Sequence, residues 1–231
     1  MKKIINLIFI LLLQFYYSQF YIVNDKDGYV NIRKTESVNS KIIGKLKNGE
    51  IVHSYEDDNK SNWITVDFFI NSKNDFKTGY IYKDRLLNLY DYENIPIIKN
   101  SDYVILKNNG IEIKITEKKF KKSKHSFLYH KQYKNAIIKI DNEEYYGTDG
   151  EIPEFQYAEI LIKINGKTIT LPSKALKNLF QPNLFSTSAH YDKKNDILYI
   201  DSLNSDGAGS YEVLWIIKNG KYSKRIIFSG C

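Results

Sequence analysis

Tyr21-Ile22-Val23-Asn24, Gly28-Tyr29-Val30-Asn31-Ile32-Arg33, Ile42-Ile43-Gly44-Lys45-Leu46, Gly49-Glu50-Ile51-Val52, Trp63-Ile64-Thr65-Val66 and Gly79-Tyr80-Ile81-Tyr82 follow one another within residues 21–89. Each is a short apolar run, and Gly, Asn and Asp turns separate them. Runs of this length and spacing predict a small barrel of short strands. In Tyr29–Arg33 the alternation puts Val30 and Ile32 on one face. Gly49 stands where a tight turn asks for positive φ. Asp25-Lys26-Asp27-Gly28 imitates half a calcium loop, but Val23 occupies the first ligand position and Lys34 the closing one. A plain Asp-Gly turn is the better reading.

Asn31-Ile32-Arg33, Ile43–Gly49, Trp63–Val66 and Gly79–Leu86 resemble strands and turns of the bacterial SH3-like (SH3b) family. The resemblance covers residues 20–90 or so only, and the barrel is expected over residues 20–91. Residues Asn71–Lys77 lengthen one hairpin, and the loop after Arg33 lacks a proline often found there; both departures bear on ligand choice more than on fold. The resemblance implies an SH3-like barrel that contacts cell wall or a peptide. Tyr55, Trp63, Tyr80 and Tyr82 are the candidate binding residues, with Phe68 and Phe69 beside them. A domain this small also spends aromatics on its core. For Trp63 the core reading, half-buried, comes first; for the tyrosines core and groove stand level.

Upstream, Lys2-Lys3 followed by the apolar run Ile4–Leu13 reads as a secretory signal, with Ser18 the expected last residue removed. The run is short for a membrane span. The protein is therefore expected outside the bacterial cytoplasm, periplasmic or extracellular, and not membrane-spanning after signal removal. Losing Lys2 and Lys3 takes the net charge from +7 to +5, which suits an anionic wall or lipid surface and gives no reason to expect nucleic acid. The only cysteine is Cys231, so no internal disulfide supports the fold.

Downstream, residues 92–101 read as a linker. From residue 102 to 231 the pattern predicts an antiparallel, β-rich domain, all-β or α+β, of unknown function. Asn109-Gly110, Asn165-Gly166 and Asn219-Gly220 each sit between alternating apolar runs, the strongest short hairpin signal. One short helix is expected from Pro172-Ser173 through Leu179. Lys118–His125 is the most basic run; it reads as a solvated loop or edge, with a phosphate-bearing polymer as the sharper alternative.

Nothing in the sequence carries a recognisable catalytic motif. Cys231 is terminal with no histidine after it, His125 and His130 are wrongly spaced for zinc on a helix, and Gly-x-Ser-x-Gly does not occur. The glycines around Asp206 precede a strand, not the helix a phosphate cradle needs. Asp149 and Asp206, each before a glycine, are weak alternative acids that read first as turn formers. No metal and no cofactor is expected. The leading expectation is a secreted, non-catalytic binding protein contacting peptidoglycan or an envelope protein. The alternatives are a cell-wall hydrolase using Asp149, Asp206 or His190 in the second half, and an immunity- or inhibitor-type protein that occupies another protein.

Overall fold

The computed structural model describes residues 19–54, 61–70 and 76–229. The chain divides into two compact units, the first ending at Leu89 and the second beginning at Tyr90. Among the described residues it is mainly β and antiparallel: strands hold 57% and no helix reaches seven residues.

The first unit contains β1 (Gln19–Val23), β2 (Tyr29–Arg33), β3 (Ile42–Lys47), β4 (Ile51–Ser54), β5 (Trp63–Phe69), β6 (Phe76–Tyr82) and β7 (Leu86–Asn88). Their order is β3-β2-β6-β5-β4-β1-β7, and among the described residues no pairing joins β3 to β7. Period-two alternation sends Val30 and Ile32 of β2, Ile64, Val66 and Phe68 of β5 and Ile81 of β6 into one core with Val23, Leu46 and Val52. Ile32 and Ile81 are wholly buried, worth roughly 1.5–3 kcal/mol each relative to exposure. β2 and β6 approach closely because Gly79 has no side chain. A Cβ there would lie 2.5 Å from Ile32 Cγ2 and 3.0 Å from the Arg33 carbonyl oxygen.

The Asp25–Gly28 segment is a turn, as expected. Asp25 Oδ1 accepts from the Asp27 N–H at 2.7 Å, Asp25 Oδ2 takes the Arg85 guanidinium, and Gly28 adopts φ +81°. The Asp27 N–H, then Arg85, hold the Asp25 carboxyl below the usual carboxylate range. Both carboxylate oxygens are thus engaged by protein donors.

The second unit contains β8 (Glu93–Asn94), β9 (Ile97–Asn100), β10 (Tyr103–Asn108), β11 (Ile111–Lys119), β12 (Phe127–Tyr129), β13 (Ile137–Ile140), β14 (Phe155–Ile164), β15 (Lys167–Thr170), β16 (Thr187–Asp192), β17 (Ile197–Asn204), β18 (Tyr211–Lys218) and β19 (Lys221–Ser229). Two five-stranded sheets, β15-β14-β11-β10-β9 and β19-β18-β17-β16-β8, share one core; β12 and β13 form a separate hairpin. Ile111, Ile113 and Ile115 from the first sheet meet Leu198, Ile200, Val213 and Trp215 from the second in that core. The three Asn-Gly pairs turn the hairpins β10/β11, β14/β15 and β18/β19. Both residues of each pair have positive φ, for example 38° at Asn109 and 87° at Gly110, the backbone that a two-residue hairpin loop requires.

Two expectations differ from the structure. Residues 92–101 are not a free linker: they supply β8, which pairs with β16, and β9, which pairs with β10. The helix expected from Ser173 to Leu179 is a single 3-10 turn, Ser173–Ala175. Asn178 at φ 62° lies within the would-be helix and is incompatible with its continuation. Ala175 and Leu179 are buried all the same, so the apolar spacing that suggested a helix serves the core without one.

Candidate functional site

The same alternation that fills the first unit's core sets the opposite residues outward. Tyr29, Asn31 and Arg33 alternate with Val30 and Ile32 on β2; Trp63 and Tyr82 are cross-strand partners on β5 and β6. With Asp27, Val38 and Arg85 they line a cleft of about 340 Å³. Trp63 and Tyr82 meet edge to face, ring centroids 5.2 Å apart at 86°. This geometry stiffens both rings while leaving each half-buried and able to present a face. Lys45 Nζ sits 3.4 Å from the Tyr29 ring centroid, a cation–π contact that fixes the opposite wall. Arg33 donates to the Ser40 carbonyl at 2.8 Å, which ties the Val38 loop to β2.

Trp63 is half-buried, as expected, but it belongs to the outer row of β5; the core positions on that strand are Ile64, Val66 and Phe68. Tyr82 joins it in the cleft. Tyr80 pairs with Arg33 and Thr65 but does not line the cleft. Tyr55 lies outside the described residues, as does Cys231. The periodicity that marked Val30 and Ile32 also places Tyr29, Asn31 and Arg33 on the other face, so those wall residues are legible in the sequence.

A second cleft, of about 520 Å³, belongs to the second unit and is lined by Glu117, Gln181, Pro182, Phe185 and Asp206 among others. Glu117 arrives there through a bulge. Thr116 pairs with Glu159 and Glu117 with Tyr157, leaving Ala158 unpaired. Partial burial pushes the Glu117 carboxyl up. The loops carrying Asp149 and Asp206 touch: Ser205 Oγ donates to the Gly147 carbonyl at 2.9 Å, and a Cβ on Gly209 would lie 2.9 Å from Thr148 Cα. Both carboxylates are exposed, and only Asp206 lines the cleft. His190 lines neither cleft. It is 5% exposed, meets Tyr90 edge to face with centroids 5.0 Å apart, and burial lowers its pKa. Among the described residues no group of three or more His, Cys, Asp or Glu is placed to hold a metal, and no helix is long and apolar enough to cross a membrane.

No family model, no curated protein and no solved structure matches this chain.

Proposed function

We propose that the protein is an exported, non-catalytic binding protein whose first unit, an SH3-like module, holds a peptide in the Trp63–Tyr82 cleft. The observation that carries this reading is the cleft itself. Two rigid aromatic rings, two guanidinium groups (Arg33 and Arg85), Asp27 and Asn31 line it together. A peptide offers apolar side chains for the rings, carbonyl and carboxylate oxygens for the arginines, and N–H groups for Asp27 and Asn31. The volume is at the small end for ligand sites and fits a short segment. Peptidoglycan stem peptides are the proposed ligand, in keeping with the SH3b resemblance and with the Lys2-Lys3 and Ile4–Leu13 export pattern. Titrating the protein calorimetrically with soluble peptidoglycan fragments tests this. Saturable binding that weakens in Trp63→Ala supports it, and binding indifferent to Trp63 and Tyr82 removes it.

A second reading rests on Glu117 and Asp206 lining one cleft. A carboxyl raised by burial beside an exposed carboxylate suits acid–base hydrolysis of a glycan. Release of soluble fragments from purified peptidoglycan, abolished in Glu117→Gln, would favour that reading.

A further inference from the structure

The chain's excess positive charge is not spread over it. Residues 118–140 hold eight lysines, two histidines and no acid, and the rest of the chain carries 26 basic against 27 acidic residues. All eight lysines are exposed. In the structure this segment is the end of β11, a 3-10 turn at Lys122–Lys124, and the β12/β13 hairpin.

The hairpin is anchored. Ile137 and Ile140 pack on Phe180 in a satellite core with Phe120, Phe127 and Tyr145. The Phe120 ring stacks on His125 with centroids 4.5 Å apart. His125 Nδ1 lies 2.7 Å from Asp141 Oδ2, and Asp141 Oδ1 accepts from the Ser126 N–H at 2.9 Å. Of the flanking acids, Asp141 is occupied by His125 and Ser126 and Glu143 by Lys177 at 2.7 Å, while Glu117 lines the second cleft. The lysines keep their charge for something outside.

The outward side of the same segment is apolar as well as basic. Leu128 is 46% exposed, Ile138 45%, Tyr129 39% and Tyr133 65%. Leu128 is paired directly with Lys139 across the hairpin. His130 Nδ1 accepts from the Gln132 and Tyr133 N–H groups, which orders the turn that carries Tyr133.

We infer that the β12/β13 hairpin with its lysine-rich approach is a docking surface for an anionic phospholipid bilayer. Lysine charge draws the segment to the surface. The tyrosine rings settle at headgroup level, Leu128 and Ile138 enter the acyl boundary, and the lysine stems lie along the interface with their ammonium groups in the headgroups. A phosphate polymer would use the lysines alone and has no use for exposed aliphatic side chains.

The test is vesicle co-sedimentation of the full chain on phosphatidylcholine alone and on its equal mixture with phosphatidylglycerol, with polyphosphate as the polymer probe. Because Ile4–Leu13 is present in every variant, differences between variants are read. The unaltered chain should gain affinity on the anionic vesicles and lose that gain in high salt. Changing Lys121, Lys124, Lys131 and Lys134 together to Gln should cost about fivefold per lysine, several hundredfold in all. Leu128→Ser with Tyr133→Ser, both exposed and checked by thermal melting, should weaken vesicle binding and leave polyphosphate binding unchanged. If the lysine variant sediments like the unaltered chain, the surface is not a docking site. If the Leu128 and Tyr133 changes leave vesicle binding intact, the patch is a polymer site and the membrane assignment falls.

Discussion

Ser188 Oγ donates a hydrogen bond to Asp201 Oδ1 at 2.6 Å, joining β16 to β17 on the face of the sheet away from its core. Tyr90 Oη donates to the other oxygen at 3.2 Å. Even with both donors, burial and the neighbouring Glu212 charge push the Asp201 carboxyl up to about 7.

That shift makes stability depend on pH in a definite direction. Below the unfolded carboxyl value near 3.8, Asp201 is protonated whether the chain is folded or not. Between there and about 7 only the folded state keeps the proton, so rising pH lowers stability; above about 7 the penalty is complete. Its full size is on the order of 4 kcal/mol. Asp201→Asn, which imitates the protonated acid, should gain stability over the unaltered chain as pH rises from 4 to 8. Urea unfolding at several pH values reads this, and a difference that stays flat with pH would refute it.

Trp63→Ala and Tyr82→Ala should each weaken ligand binding by about 1–2 kcal/mol, five- to thirtyfold. Tyr80→Ala should change it little, because Tyr80 lies outside the cleft. Calorimetric titration of the three variants separates a cleft-borne site from a diffuse tyrosine surface.

Tyr157→Phe removes a hydroxyl that donates to Asn204 Oδ1 at 2.8 Å inside the second unit's core. Asn204 Oδ1 also accepts from the Asn183 N–H at 2.9 Å and from Ser202 Oγ at 3.2 Å, and its Nδ2 donates to the Ser202 carbonyl at 2.9 Å, so the amide stays satisfied. The expected loss is about 1–2 kcal/mol, read by thermal unfolding. A shift in vesicle or peptide binding without that loss would assign Tyr157 a different role.

Gly79→Ala should destabilise the first unit by about 1–3 kcal/mol, since the new methyl meets Ile32 and the Arg33 backbone. Gly49→Ala meets no atom within 4 Å and bears only the strain of φ +83°, about 1 kcal/mol. Equal losses at the two positions would mean that the close approach of β2 and β6 relaxes freely.

What the sequence disclosed was what neighbouring residues decide. Asn109-Gly110 makes its turn through its own backbone preference, and Ile111, Ile113 and Ile115 point one way because a strand alternates. The 92–101 segment escaped because Ile97–Asn100 becomes a strand only by pairing with β10, and Pro96 beside it mimics a connector. Trp63 was legible as a half-buried aromatic but not as to its face, because an aromatic on a strand reads alike on either face until the register with Tyr82 is known. Glu117 escaped because the bulge at Ala158 breaks the periodicity that would have placed it.

The three hairpin turns of the second unit have a chemical as well as a geometric consequence. In Asn-Gly the side-chain amide is open to attack by the following backbone nitrogen, closing a succinimide that reopens to aspartate or isoaspartate. Closure at Asn109, Asn165 or Asn219 would expel ammonia, each event would remove one unit from the net charge of +7, and isoaspartate would add a main-chain atom to a two-residue turn. A preparation left to stand would then record its age as acidic isoforms, one turn at a time.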